Sequence, residues 1–260
     1  MFNKTPKTYF AKAFLRRPGQ TSQIGIGMGT FGTGLFSGIF LMAFPYLVFG
    51  GSSLFFKALF WIFLIGSFAG IIASYKYARR YIQGIEGEKL VHDELEPIIR
   101  EGYHIINAFP GDGFDIDFIV IGPTGVYAIE VKNPSKFAAD DWIVLENGTL
   151  KIKSAKAKAT IPLRHKDPIK QARHNADWLK RYIAEIMGRH PTFVKATILF
   201  PRFLVKDYSE NDLLIFNPKR FITEHLSKAP QTLSPGDITN ILTALRARIK
   251  TLDDFETSEN

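Results

Sequence analysis

The chain has 260 residues, of which 46% are hydrophobic, and it contains no cysteine. This length allows one ordinary domain with additions, and the lack of cysteine excludes disulfides, thiolate zinc sites and thiol nucleophiles. The net charge of +8 is concentrated in residues 1–80, which hold nine Lys or Arg residues and no acid. The remainder has 24 basic and 25 acidic residues, so the high pI alone does not indicate nucleic-acid binding.

Two uncharged apolar stretches follow a basic N-terminal segment, residues 1–23. Ile24–Phe49 contains 26 residues and Ala58–Tyr75 contains 18. A bilayer crossing needs roughly 20 apolar residues, so residues 24–80 are predicted to form two transmembrane helices. Glycines at four-residue spacing would let helix backbones approach closely. This spacing predicts a helical hairpin or self-association into a homo-oligomer, and it does not choose between them.

Basic residues flank the two predicted spans at their outer ends, whereas the loop between them has only Lys57. Because Lys and Arg accumulate on the cytoplasmic side of membrane proteins, we expect both termini to face the cytoplasm. The expected location is a cytoplasmic membrane of the bacterial inner-membrane type, crossed twice. Contact with anionic lipid accounts for the basic flanks without any nucleic acid.

The rest of the chain predicts an α/β domain over residues 85–250 and a polar tail at 251–260. The first expected elements are a helix at 87–100, strands at 103–109, 116–122 and 125–132, and a hairpin at 142–152 that turns at Asn147-Gly148. Next come a helix at 168–187 with Asp167 as N-cap, strands at 193–200 and 212–217, and closing helices from Asn217-Pro218 and Ser234-Pro235. A helix between two strands predicts a crossover and a mixed sheet with helices on both faces.

Charged residues interrupt the apolar hairpin at 113–136, "GFDIDFIVIGPTGVYAIEVKNPSK". Side chains alternate along a strand, so Glu130 and Lys132 share a face. Antiparallel pairing around the turn sets Asp117 opposite Glu130, and opposed carboxylates repel unless something compensates. Mg²⁺ is typically held by one or two carboxylates, which makes this pair a candidate metal site with Lys132 placed to polarise a water. The alternative is a solvated hairpin edge in which Lys132 neutralises the acids.

The order of these charges resembles a known signature. Asp117, twelve intervening residues and then Glu130-Val131-Lys132 resemble the D…(D/E)-x-K motif of the restriction-endonuclease-like superfamily. The chain more closely resembles the nuclease-related domain (NERD) family, and the matching residues are Gly87-Glu88, "DIDFIVIGPTGVYAIEVKN" at 115–133, Pro168 and Gln171. The resemblance covers roughly residues 85–250. It implies a restriction-endonuclease-like mixed-sheet fold and phosphodiester hydrolysis that depends on Mg²⁺ or Mn²⁺.

The resemblance also implies roles for individual residues. Asp117 and Glu130 would be the metal ligands, and Lys132 would orient the attacking water or stabilise the pentavalent transition state. Glu88 and Gln171 match positions that complete the site in such proteins.

Two acidic residues and one amide keep alternative interpretations. Glu88 is either a site residue or a favourable charge at a helix N-terminus. Asp115 is either a surface acid or an accessory ligand. Gln171 lies one residue too far beyond the expected N-cap, Asp167, to form a capping box, which favours a role in the site.

Residues 151–173 form a strongly basic stretch with eight Lys or Arg residues and one Asp. Contact with the phosphates of a nucleic acid, DNA rather than RNA, is the functional interpretation. A solvated loop, or one resting on anionic lipid, is the alternative. The candidate contacts are Lys151, Lys153, Lys156, Lys158, Arg164, Lys166, Lys170 and Arg173.

Taken together, the sequence favours a membrane-anchored, metal-dependent nuclease that acts on the cytoplasmic side. One rival hypothesis is a catalytically inactive scaffold, tethered to the membrane, that binds nucleic acid or a protein. Another is a membrane protein whose soluble domain serves as an adaptor.

Overall fold

The computed structural model describes Gly38 and residues 54–154, 156, 158–163, 167–188, 193–206, 209–210 and 212–258. The chain divides into two compact units, Met1–Gln83 and Gly84–Asn260. The predicted span at 24–49 lies outside the described residues apart from Gly38. Across the part of the chain that is described, no helix has both the length and the apolar character needed to cross a membrane.

The first described helix, α1, runs from Leu54 to Leu95 and is followed by a 3₁₀ turn at Glu96–Glu101. The helix predicted at 87–100 is confirmed as helical structure, α as far as Leu95 and 3₁₀ beyond it, but its predicted start at Gly87 is wrong, because α1 continues through that position. Extending an existing helix adds one hydrogen bond per residue without a new nucleation step. Pro97 lacks a backbone N–H, which explains why the α-helix gives way to a 3₁₀ turn there.

The described residues beyond α1 contain ten strands, some of them separated by helices. In chain order they are β1 (His104–Pro110), β2 (Asp115–Gly122), β3 (Gly125–Val131), β4 (Trp142–Glu146), β5 (Thr149–Ser154), β6 (Ala159–Pro162), β7 (Val194–Leu199), β8 (Leu204–Val205), β9 (Ser209–Glu210) and β10 (Leu213–Phe216). The main sheet has six strands in the order β1-β2-β3-β7-β10-β9. β2 and β3 pair antiparallel, with Phe118 opposite Ile129, and β3 and β7 pair parallel. The predicted hairpin, crossover and mixed sheet are therefore confirmed.

A second sheet of four strands has the order β6-β5-β4-β8. Asn147 and Gly148, with φ of 51° and 68°, form the turn between β4 and β5. Positive φ at both central residues is the requirement of a type I′ turn, so the predicted turn is confirmed. The sequence did not predict β6, β8 and β9, since strands of two to four residues are too short to show a hydrophobic period.

The described residues contain three further helical segments after α1 and its 3₁₀ turn. Helix α2 (Pro168–Met187) is capped by Asp167, whose Oδ1 accepts from the N–H groups of Ile169 at 3.2 Å and Lys170 at 3.4 Å. A short helical segment consists of an α turn at Pro218–Arg220 and a π turn at Phe221–Leu226.

Helix α3 (Pro235–Ser258) closes the chain. It begins with the expected capping box, in which Ser234 Oγ accepts from Asp237 N at 3.2 Å and Asp237 Oδ2 accepts from Ser234 N at 3.2 Å. The helix continues to Ser258, through residues for which the sequence predicts a polar tail.

The main sheet is buried on both faces, which gives two separate hydrophobic clusters. Helices α2 and α3 cover the face that includes Ile119 of β2 and Ala128 of β3. The C-terminal end of α1 and the short helical segment cover the face that includes Phe118 and Ile129. By strand alternation, the site residues of β2 and β3 lie on the face that α2 covers.

Candidate active site

The site begins where β2 and β3 stop pairing. Phe118 and Ile129 form the last backbone pair at this end of the hairpin, whereas β3 remains paired with β7 as far as Val131. Asp117 Oδ2 accepts a hydrogen bond of 2.8 Å from the N–H of Val131. The Asp117 carboxylate thus replaces a strand partner and stays beside the segment that contains Glu130.

The backbone of β1 is strained at the same level of the sheet. Ala108 has φ of 48°, although it lies within a strand. Its neighbours Asn107 and Phe109 pair with Phe118 and Ile116, the residues on either side of Asp117. Positive φ is uncommon for a residue with a Cβ, and such strain is concentrated at functional sites.

Glu130 is a buried carboxylate with 2% of its surface exposed. Its Oε1 accepts from Lys132 Nζ at 2.5 Å, and its Oε2 accepts from Asn175 Nδ2 at 3.2 Å. A buried carboxylate requires such partners, because an unpaired buried charge is strongly unfavourable. Each oxygen of Glu130 is therefore held by a donor from a different element.

Lys132 follows the end of β3 and links Glu130 to helix α2. Its Nζ also donates to Gln171 Oε1 at 3.1 Å. The Lys132 side chain is 25% exposed, in contrast to 3% for the Glu130 side chain, so the Lys132 ammonium lies at the boundary with solvent. An ammonium has three N–H donors, which leaves one for a water or a phosphate oxygen.

Helix α1 approaches the same end of β3 at Gly87. A Cβ on Gly87 would lie 2.5 Å from the Cβ of Asn133, the residue after Lys132. Glu88 is therefore one residue away from a close approach to the site, and it is half-buried. Because α1 starts at Leu54, Glu88 is not at a helix N-terminus, and the interpretation as a dipole-stabilising charge is wrong.

Asp115 lies at the start of β2, where it is exposed and in register with Pro110 of β1. Its position favours the interpretation as a surface acid.

The carboxylates of Asp117 and Glu130 are the donors that a cation would use. The described residues contain no group of three or more His, Cys, Asp or Glu side chains suited to a metal. A pair is nevertheless enough for Mg²⁺, which keeps several waters and takes one or two carboxylates. The hard oxygen donors present here therefore fit Mg²⁺ or the chemically similar Mn²⁺.

Some of the predicted basic residues are paired with carboxylates, whereas others are exposed to solvent. Lys151 and Lys153 of β5 form ion pairs with Glu146, and Arg173 pairs with Asp212, its Nε lying 3.0 Å from Oδ2. Hydrogen bonds from Lys153 and then Lys151 lower the pKa of Glu146. The exposed members are Lys156, Lys158 and Lys170, whereas Arg164 and Lys166 lie outside the described residues.

Sequence reasoning missed Asn175, which is 2% exposed and bonded to Glu130. The sequence does indicate that Asn175 is unusual, because it interrupts the apolar stripe of α2 that contains Ala172, Ala176 and Leu179. A polar residue on the buried face of an amphipathic helix calls for a partner.

The fold and the site define an α/β domain with an Asp–Glu–Lys cluster at the end of a central strand. Residues 83–201 match the family model of the nuclease-related domain, NERD, which indicates a nuclease-related function. The match ends before β8, whereas the compact unit continues through α3 to the end of the chain. No curated protein and no solved structure matches the chain.

Proposed function

We propose that this chain is a metal-dependent nuclease that hydrolyses phosphodiester bonds in nucleic acid, DNA rather than RNA. The observation that carries the proposal is the cluster of Asp117, Glu130 and Lys132 at the point where β2 leaves β3. The family match supports the same class of activity. An ion pair built only for stability would not need the neighbouring carboxylate of Asp117 or the amide of Gln171.

Asp117 and Glu130 would hold the cation through their carboxylate oxygens. A bound Mg²⁺ or Mn²⁺ would lower the pKa of a water and offset the charge that develops on the phosphate. Glu130 and Gln171 hold the ammonium of Lys132 by two hydrogen bonds. The remaining N–H of Lys132 would orient the attacking water or stabilise a phosphate oxygen, and Glu88 would support this end of the site from α1.

Exposed lysines supply the proposed contacts to the nucleic-acid backbone. Lys156 and Lys158 follow β5, and Lys170 lies in the first turn of α2, one residue before Gln171. Phosphate contacts of this kind fix the position of a nucleic acid without reading its sequence. We therefore expect cleavage without strong sequence preference and with binding that weakens as salt rises.

The test uses the purified full-length chain with plasmid DNA, single-stranded DNA and RNA, in Mg²⁺, Mn²⁺ or EDTA. Lys132→Ala and Asp117→Ala should each lower the cleavage rate by about a hundredfold or more, since Lys132 would act on the reacting water and Asp117 would hold the cation that activates it. Lys180→Ala is the control, because Lys180 pairs with Asp177 at 3.2 Å on the same helix as Gln171. Equal rates for wild type and all variants would refute the nuclease, and binding without cleavage would favour the scaffold.

We further propose that residues 24–80 anchor the protein in a cytoplasmic membrane with both termini inside. The two uncharged stretches and the basic residues at their outer ends support this arrangement. The protein should remain with membranes after alkaline carbonate washing. Protease should digest residues 84–260 only in permeabilised cells, and digestion in intact cells would contradict the orientation.

A further inference from the structure

We propose that Asn175 is a positioning residue that restrains Glu130 and so keeps this carboxylate available for the cation. This inference rests on the proposed function and adds a residue to its site. Asn175 and Glu130 are both 2% exposed, and they are bonded to each other through Nδ2 and Oε2 at 3.2 Å. An amide buried this deeply is unfavourable unless it makes such a hydrogen bond.

Helix α2 presents two amides to the site from one face. Gln171 and Asn175 are four residues apart, so their side chains lie one above the other. Chemistry decides how each amide is oriented: an ammonium only donates, so Gln171 turns its oxygen to Lys132. A carboxylate only accepts, so Asn175 turns its nitrogen to Glu130. Four side chains thereby form one chain of hydrogen bonds across β3 and α2.

Lys132 and Asn175 hold opposite oxygens of Glu130. Lys132 takes Oε1 at 2.5 Å, and Asn175 takes Oε2. Without the Asn175 bond, the carboxylate can rotate and give both oxygens to the Lys132 ammonium. That ion pair would compete directly with a cation for the same oxygens. The Asn175 bond therefore opposes full pairing within the site and favours the geometry that binds metal.

The decisive variant is Asn175→Leu in the full-length chain, because leucine has a similar shape but no donor. Mn²⁺ affinity is measured by titration calorimetry without substrate, and the melting temperature and kcat are measured in parallel. We expect Mn²⁺ binding to weaken by about tenfold or more, the usual result when the partner of a metal ligand is removed. Ile183→Ala is the matched control, because Ile183 is fully buried on the same helix and belongs to the apolar cluster.

A double-variant cycle tests the mechanism itself. In the Lys132→Ala background no ammonium competes for Glu130, so adding Asn175→Leu should change Mn²⁺ affinity by less than threefold. Asn175→His keeps a donor and should recover part of the affinity that Asn175→Leu loses.

Three results would overturn the inference. If Asn175→Leu binds Mn²⁺ within about twofold of wild type, Asn175 is only structural. If its losses match those of Ile183→Ala at equal melting temperature, the effect is one of packing. If the wild type itself binds no Mn²⁺ and cleaves nothing, the proposed function fails and this inference fails with it.

Discussion

At the scale of single residues, the site depends on a few atoms whose place is set by close packing. Gly87 shows this clearly, since the absence of one carbon lets α1 approach the residue after Lys132. Glu130 shows the electrostatic counterpart, because its burial is tolerated only with donors on both oxygens. Small changes at either position should therefore alter the geometry of the cluster around Glu130 and Lys132.

Gly87→Ala should destabilise the protein and reduce its cleavage activity. The new Cβ would meet the Cβ of Asn133 at 2.5 Å, and neither atom can rotate away. Overpacking of this kind costs about 1–3 kcal/mol. Denaturant unfolding measures the change in stability, and a cleavage assay measures the change in activity.

Gly84→Ala provides the comparison in the same helix. A Cβ on Gly84 has nothing within 4 Å, so alanine should raise the free energy of unfolding by about 0.5–1 kcal/mol through its higher helix propensity. Equal stabilisation by Gly87→Ala and Gly84→Ala would show that α1 does not pack closely against Asn133.

At the scale of secondary-structure elements, strand β3 and helix α2 hold most of the candidate site. Strand β3 carries Glu130 and leads directly to Lys132, and helix α2 holds both through Asn175 and Gln171. Strand β5 of the second sheet adds Lys151 and Lys153, whose charges Glu146 partly neutralises. The electrostatic attraction of this sheet for phosphate is thus below what its composition suggests.

Glu146→Gln should tighten the binding of nucleic acid, because it frees both lysines of β5 from their carboxylate partner. One or two additional phosphate contacts should also make the affinity fall more steeply with salt. Binding is measured by fluorescence anisotropy of labelled DNA in EDTA at several salt concentrations. Glu224→Gln is the control, since Glu224 pairs with Arg220 at 2.8 Å in the short helical segment. An unchanged affinity and salt slope would show that β5 does not face the nucleic acid.

At the scale of the whole domain, the chain beyond the family match is part of the fold. Arg248 of α3 donates to Pro110 O at 3.1 Å and to Asp112 Oδ1 at 2.7 Å. Its guanidinium also lies over the ring of Trp178, 5.0 Å from the centroid, and Trp178 donates to Asp112 as well. These contacts join α3, α2 and the β1–β2 connection, so a fragment that ends at residue 201 would lack a layer of its core.

The free energy of unfolding should fall as the pH drops below about 6.5. Burial, with the added charge of Lys195, lowers the pKa of His225, and burial with Arg246 lowers that of His104. A histidine with a lowered folded pKa binds its proton more readily in the unfolded state, so stability is complete above the unfolded pKa and is lost below it. Carboxyl groups such as Glu146, whose pKa is lowered from 4.5, act only at more acidic pH.

His225→Gln should reduce the slope of the stability profile below about pH 6.5, whatever its effect on stability at pH 7, and the lowered pKa of His104 should account for the slope that remains. Thermal unfolding at several pH values checks this expectation. A profile that keeps its slope in the His225 variant would contradict the assignment.

Local patterns in the sequence were enough to predict the β2–β3 hairpin, the Asn147-Gly148 turn, the Asp167 cap and the candidate cluster on β2 and β3. Each depends on residues close in sequence, where alternation, turn chemistry and capping act over short distances. Only the tertiary structure decided the role of Asn175, the need for glycine at Gly87 and the separation of β4 and β5 into a second sheet. These features depend on contacts between residues far apart in the chain, and a local pattern does not encode which distant surfaces meet.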